Sequence, residues 1–417
     1  LMTKVTGWCA HDLVQASQAR ADAVLDLARA FLALPGVVDQ GDAFGRLLLE
    51  TMRGCGFVDV ARDGMGNCLG RIRGRGLGPS ILVVCPLDAP AGPVQGGVNE
   101  ASGEGIFDGV YVRGWGACAN KGALASVLQA GALLVEAGLE IPGDLIVVGV
   151  VQSEARAEIG VRHVLEQTLL QWGWHADLVV LAHPTGLGIV LGQRGYLSLE
   201  LTLAGRAMQA EWGHLAPALV NRLPDVLARI ASIATQMPRH SFLEPASIGV
   251  TSVRTVVARR GMLPDRLVVG LERRWLPQED VDGVIWQMHE GLSPLWAQSD
   301  DCWGSLAVAT VSVVRGEGVV AVPRVQQAFL TDRRHGLVVD VMQALRMVGQ
   351  NPEVGKWVSS YDGGYPAALK KITTIGYGPG HPALVYTLDE RVALKELVAA
   401  TAGYAAIAVG VAGVLNH

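Results

Sequence analysis

The chain has 417 residues, half of them hydrophobic and only 18% charged, with a formal net charge of −5. That length suits two domains, or one large domain carrying an insertion. The acidic balance supplies no basic footprint for nucleic acid or an anionic membrane, and the sparse charge predicts broad buried interfaces and hence an oligomer.

No apolar run is expected to reach transmembrane length, and the N-terminus lacks a charged-then-apolar signal pattern. The expectation is a soluble cytoplasmic protein. Six cysteines (Cys9, Cys55, Cys68, Cys85, Cys118, Cys302) lie scattered without C-x-x-C spacing. That argues against a zinc ribbon or a disulfide framework and predicts small buried hydrophobes.

Apolar residues recur at helical spacing from Asp12 to Ala33, where Pro35-Gly36 stops them, and a second amphipathic helix is predicted over about Asp42 to Arg53. FVDVARDGMGNCLGRIRG alternates like a hairpin around an Asp-Gly turn. Ile81 to Cys85 is a continuous apolar run ended by Pro86, which reads as a strand buried on both faces of a mostly parallel sheet. Lys121 to Ala137 has helical spacing, with Asn120 as N-cap and Gly138 as stop. Then come strand GDLIVVGVVQ, helix Val161 to Leu170 and strand DLVVLAHPTG. Strands alternating with helices imply α/β architecture, a mostly parallel twisted sheet with helices on both faces. Ligands in such sheets sit at the carboxyl ends of strands, where Pro86, Ser153-Glu154 and His183 fall.

At Gly192 to Gly195 the texture changes. YLSLELTLAG alternates with period two, a helix is predicted over Pro217 to Gln236, SIGVTSVRTV and RLVVGLERRW are alternating strands, and a helix follows over Asp280 to Gly291. This block reads as an inserted ferredoxin-like α/β domain. The expected division is 1–195 with 314–417 for the larger domain and 196–313 for the insertion. Helix Gly336 to Val348, strand KITTIGYGPG and a C-terminal helix Glu390 to Val409 complete the larger domain.

Strand Ile81 to Cys85, then L-D-x-P, a loop, and V-x-G-x-G-A-x-x-x-K-G opening an Ala-rich helix resemble the dizinc amidohydrolases and metallopeptidases. That family includes acetylornithine deacetylase, succinyl-diaminopimelate desuccinylase, aminoacylase and glutamate carboxypeptidase. GNCLGRIRG, GDLIVVGVVQSE, HPTGLGIVLGQRG, LPDRLVVGLERR and IGYGPG followed by LDE extend the likeness in order along nearly the whole chain. The resemblance implies a zinc-exopeptidase-like fold, with the insertion as a lid and dimerisation domain. It also implies hydrolysis by two zinc ions about 3.5–4 Å apart, which polarise an amide and activate a shared water.

The residues at the family's chemical positions differ from its pattern. Its first metal-binding His falls on Pro86 and its metal-bridging Asp on Ala119, and neither side chain can hold a metal, because zinc needs N, O or S donors. Asp88 remains, in a family position that orients the missing His. The general base and the next ligand fall on Ser153 and Glu154 in an ungapped count from Gly143-Asp144. A one-residue slip anchored on Gly160 makes Glu154 the base and Ala155 the ligand, and both registers stand open. His183 takes the place of a ligand Glu, Tyr386 that of the last ligand His, with His381 nearby. Gln209 stands where a lid His reaches a neighbour's transition state; it can donate to an oxyanion and carries no proton. Arg273 and Arg274 match a strand where an Arg holds a substrate carboxylate.

A mononuclear zinc or manganese site on Glu154, His183 and a third donor, or no metal at all, are the cofactor expectations. Cys85 and Cys118 read as replacements of small residues, with a thiol nucleophile near a helix N-terminus as the sharper alternative. Ser153 as a nucleophile has no paired base evident in the sequence. Two functions follow. One is an enzyme retooled to act on a small amide, amino-acid or aromatic-amine substrate, with Glu154, Ser153, Tyr386 and Gln209 in catalysis and Arg273 and Asp88 toward the substrate. The other is a pseudoenzyme that binds a small carboxylate or stabilises an active paralogue. The partners expected are a small molecule and a second copy of the chain, through the lid.

Overall fold

The computed structural model describes residues 10–34, 43–89, 105–212, 219–257, 259–297, 302–315 and 318–411. Cys9, Pro35, Gly36, Asp42, Pro90 and Pro217 therefore lie outside the described residues. The chain divides into two compact units: Leu1–Gly192 with Leu330–Lys356 and Tyr361–His417, and Gln193–Phe329 with Trp357–Ser360. The sequence placed the return to the larger unit at 314. Strands Thr310–Arg315 and Gly318–Pro323 pair with each other, and Val325–Gln326 pairs with Gly195–Gly205, so the chain stays with the smaller unit to Phe329.

The larger unit is built on a nine-stranded sheet. Its order is Val58–Arg62, Cys68–Ile72, Leu145–Val150, Ile81–Pro86, Leu178–Leu181, Thr373–Gly376, Ile189–Gln193 and Phe329–Leu330, with Val354–Trp357 beside Ile189–Gln193. The four central strands run parallel and their flanking partners are antiparallel. Every residue of Ile81–Pro86 and Leu145–Val150 is buried, so both faces of the sheet are covered.

The helices differ from expectation in instructive places. The first is two helices, Ala10–Ala19 and Ala21–Leu32, because Arg20 at ψ 9° leaves the helical region. Helix Gly122–Glu136 follows a π-helical turn, Ala117–Lys121, so Asn120 lies inside the turn and is not an N-cap. Together they form a 20-residue segment whose most apolar 18-residue window has mean hydropathy 1.3, enough to cross a membrane by length and composition only. Its most apolar stretch is 94% buried inside the protein, which is the behaviour of a core helix that is hydrophobic all round. The last helix begins at Leu394, not Glu390, because Arg391–Ala393 pairs as a strand with Tyr111–Arg113.

The smaller unit follows the order strand, helix, strand, strand, helix, strand: Gly195–Gly205, Leu223–Ala234, Ser247–Val256, Arg266–Trp275, Val281–Leu292 and Cys302–Val308. Its sheet is antiparallel in the order Ser247–Val256, Arg266–Trp275, Gly195–Gly205, Cys302–Val308, the ferredoxin-like arrangement. Leu197, Leu199, Leu201 and Leu203 alternate inward along Gly195–Gly205 and make its core with Val226, Ile230, Val284 and Met288.

Candidate functional site

Pairing of Ile81–Pro86 between two parallel neighbours brings three strand ends to one edge of the sheet. The Leu87 N–H donates to the Val150 carbonyl at 2.8 Å and extends that register past the strand. Asp88 follows, buried. One carboxylate oxygen accepts the Ser153 amide at 3.1 Å, and the other accepts the Glu154 amide at 2.9 Å. Burial pushes the Asp88 carboxyl up to about 7 against those amides, and the charges of Asp362 and Glu154 add to the rise.

The loop that carries Ser153 and Glu154 has an unusual backbone. Gln152, Arg156 and Glu158 all have positive φ, at 62°, 54° and 53°, a region that non-glycine residues avoid and that gathers at functional sites. Ser153 Oγ donates a hydrogen bond to Asp362 Oδ2. Asp362 is only 1% exposed, and burial raises its carboxyl to about 6. A second link holds the two loops together, since the buried Glu158 Oε1 accepts the Tyr365 amide at 2.8 Å. Sequence reasoning missed Asp362. Tyr-Asp-Gly-Gly reads as a turn, and nothing local ties it to a serine 209 positions earlier.

Tyr386 donates its hydroxyl to Glu154 Oε1 at 2.9 Å and packs its ring on Trp115 with centroids 5.3 Å apart. Burial raises the Glu154 carboxyl above its usual range, opposed by the Tyr386 hydrogen bond and the Arg156 charge. Burial, with the Glu154 charge beside it, drives the Tyr386 phenol far above its ordinary value, so it remains a donor. Tyr386 has φ 55°, and the carboxylate of Glu390 holds this backbone. Glu390 accepts the amides of Gly116, Cys118 and Ala119 at 3.0, 3.0 and 2.8 Å and that of Tyr386 at 3.3 Å. The role of Glu390 is thus to clasp the π-helical turn. Gly116 is required there, since at φ 89° an added Cβ would meet Asn120 Oδ1 at 2.8 Å.

The other expected residues are placed differently. Pro86 ends its strand, with its carbonyl accepting from Asn120 Nδ2 at 3.0 Å, and Ala119 is buried in the π-helical turn. His183 is buried with its ring tilted on that of Tyr361, centroids 4.0 Å apart, and burial lowers its pKa to about 3. The His381 ring caps the turn Pro382–Leu384 by accepting the Ala383 amide at 3.2 Å. The alternative reading of Cys118 as a nucleophilic thiol is not supported, and the preferred one, a buried replacement of a small residue, fits its burial. Burial outweighs the helix terminus and pushes the thiol up to about 12, and Cys85 rises further for the same reason. Lys121, also buried, donates to the Leu34 carbonyl at 2.6 Å.

Gln209 and Arg273 belong to the smaller unit. Gln209 is exposed and bridges to Met262. Arg273 is fully buried, with its guanidinium taken by Glu279 at 2.6 Å and by the Arg274 carbonyl, while Arg274 pairs with Glu272 and donates to Ser360 Oγ at 2.7 Å. Both arginines are thus engaged inside their own unit. A cleft of about 560 Å³ between Thr185–Val190 and Gly349–Gly355 carries one titratable side chain, Glu353, and lacks the chemistry of the carboxylate cluster.

Among the described residues, no three His, Cys, Asp or Glu side chains converge as donors for a metal ion. The sequence matches the profile of Peptidase family M20/M25/M40 over residues 93–409, and the chain belongs to that family. It is 24% identical over 372 residues to the uncharacterized protein YgeY of Escherichia coli (strain K12), covering 86% of this chain and 87% of that one. It is 26% identical over 404 residues to the succinyl-diaminopimelate desuccinylase of Granulibacter bethesdensis, covering 92% and 96%. Among solved structures it resembles the di-peptidase Dug1p from Saccharomyces cerevisiae, with a TM-score of 0.77 at 12% identity over 98% of this chain and 99% of that one, which establishes the shared fold.

Proposed function

We propose that this chain is an M20-type hydrolase-fold enzyme retooled to cleave a C–N bond in a small amide or N-acyl amino acid without the zinc pair of its relatives. The observation that carries the reading is the Glu154–Tyr386 hydrogen bond at 2.9 Å, a carboxyl raised by burial beside a phenol held as a donor, at the sheet edge where such folds bind ligands. A zinc pair does not fit the residues present. The positions of one ligand and of the bridge hold the ring of Pro86 and the methyl of Ala119, and the amides of Ser153 and Glu154 occupy Asp88. Acid–base work therefore falls to Glu154, and Tyr386 orients it. A desuccinylase among the relatives supports an N-acyl amino acid as the substrate class.

The test is amine release from N-succinyl and N-acetyl amino acids and from dipeptides, before and after dialysis against a chelator. Turnover that survives chelation and falls about a hundredfold or more in Glu154→Ala supports the reading. Turnover that appears only on adding Zn²⁺ or Mn²⁺, or no release from any substrate, sinks it. Because no metal donors converge among the described residues, a second reading has the chain as a pseudoenzyme that holds a small carboxylate or an active paralogue. A co-purifying second chain together with absent turnover favours it.

The same proposal takes the chain as a cytoplasmic homodimer formed through the smaller unit. Strand Ser247–Val256 is a ten-residue sheet edge whose last eight residues are exposed, a surface that invites pairing with a second strand. Cys55, Cys68, Cys85, Cys118 and Cys302 are buried and in no disulfide among the described residues, which suits a reducing compartment.

A further inference from the structure

The buried carboxyls of Asp88 and Asp362 hold the loop of residues 152–158, that of Glu390 holds the turn behind Tyr386, and they differ in what they bind. Asp88 spends one oxygen on each of two backbone amides, and Glu390 accepts four. Among the described residues, the Asp362 carboxylate accepts only from a serine. Its Oδ1 is buried with no hydrogen-bond partner among the described residues, and no ion pair neutralises it there. A carboxylate left with free lone pairs in a buried site is costly unless it has work to do.

The group it holds is chemically apt. Ser153 is half-buried on a loop whose backbone is pinned from both sides, by Asp88 at the Ser153 and Glu154 amides and by Glu158 at the Tyr365 amide. An alcohol becomes a nucleophile when an adjacent base takes its proton in the transition state. We propose that Ser153 is a catalytic nucleophile and Asp362 its general base, so that cleavage of the small amide proceeds through an acyl-serine. This rests on the hydrolase reading above and adds the route to it. The rise of the Asp362 carboxyl to about 6 brings its proton affinity close to neutral pH, where a general base works best.

In the first step the Ser153 hydroxyl proton passes to an Asp362 oxygen while Oγ bonds to the substrate carbonyl carbon and the carbonyl π pair moves to oxygen. That pair returns as the C–N bond breaks, and the Glu154 carboxyl, oriented by Tyr386, delivers its proton to the departing nitrogen while Asp362 keeps the serine proton. A water molecule then attacks the ester carbon, giving its proton to the Glu154 carboxylate. The carboxylic acid leaves as the Oγ–C bond breaks, and Asp362 returns the proton to Ser153.

The probe is p-nitrophenyl acetate, mixed with the full chain and quenched in acid, with the adduct read by intact mass and mapped by peptide sequencing. The wild type is expected to gain one acetyl group on Ser153, Ser153→Ala none there, and Asp362→Asn to acylate about a hundredfold more slowly or worse. Asn is nearly isosteric and removes a buried charge, and an unchanged melting temperature shows that the variant folds. An acetyl group found only elsewhere, or Asp362→Asn acylating at the wild-type rate, overturns the proposal. No Ser153 adduct in a protein that still releases amine from N-acyl amino acids overturns the covalent route and leaves the hydrolase reading standing. No adduct and no amine release overturns both.

Discussion

Asp88 accepts the backbone amide of Glu154 at 2.9 Å, so a carboxylate near one strand end fixes the residue placed for acid–base work at the next. Its carboxyl, raised to about 7 from an ordinary 3.8, and that of Asp362, raised to about 6, bind protons more tightly in the folded chain than in the unfolded one. Below about pH 4 both states carry these protons. Above it the unfolded chain loses them first, so stability present in acid is lost as pH rises through 6 and 7, by about 1.4 kcal/mol for each tenfold difference in proton affinity. Urea unfolding at pH 5 and pH 8 checks this. The wild type should lose more stability between the two than Asp88→Asn, and equal losses would refute the assignment.

Glu390→Ala removes the acceptor of four amides at once. Each buried amide left without a partner costs about 1–3 kcal/mol, less where water enters. The variant should lose at least about 3 kcal/mol in denaturant unfolding, and Glu390→Gln clearly less, because its amide oxygen still accepts. A loss below about 1 kcal/mol would mean that the clasp contributes little.

Tyr386→Phe keeps the ring on Trp115 and deletes the hydroxyl bonded to Glu154. That bond favours the charged carboxylate, so its loss should raise the Glu154 carboxyl further. The alkaline limb of the kcat/KM profile, where Glu154 loses the proton it delivers, is expected to move to higher pH, with folding unchanged. A uniform drop at all pH values would instead make the hydroxyl a donor to substrate alone.

Val253→Lys places a charge in the exposed edge strand Ser247–Val256. Edge lysines oppose strand addition. Sedimentation should find the wild type dimeric and the variant shifted toward monomer, at unchanged melting temperature for the monomer fold. A dimer that ignores the substitution assembles by another surface.

Legibility followed the range of the physics involved. The hairpin at Val58–Ile72, the buried strands Ile81–Pro86 and Leu145–Val150 and the helix Gly336–Met347 could be read because burial periodicity and turn residues are local signals. The start of the last helix could not, since the pairing of Arg391–Ala393 with Tyr111–Arg113 overrides its local helical tendency. Glu390 read as a helix residue is in fact a clasp for amides 271 to 274 positions away.

What the sequence alone determined is the class of scaffold and the residue types at its chemical positions: no side chain at Pro86 or Ala119 can give a lone pair to a metal, whatever the fold does. The tertiary structure decided which groups act on one another. Ser153 had no visible base until the loop at Tyr361 to Tyr365 was stitched to Glu158, and Tyr386 had no partner until Glu390 set its backbone. Proton affinities belong to this second kind. The same carboxyl that titrates near 3.8 in an open chain rises at Asp88 and Asp362 because burial removes the water that stabilises its charge, and burial is a property of the fold.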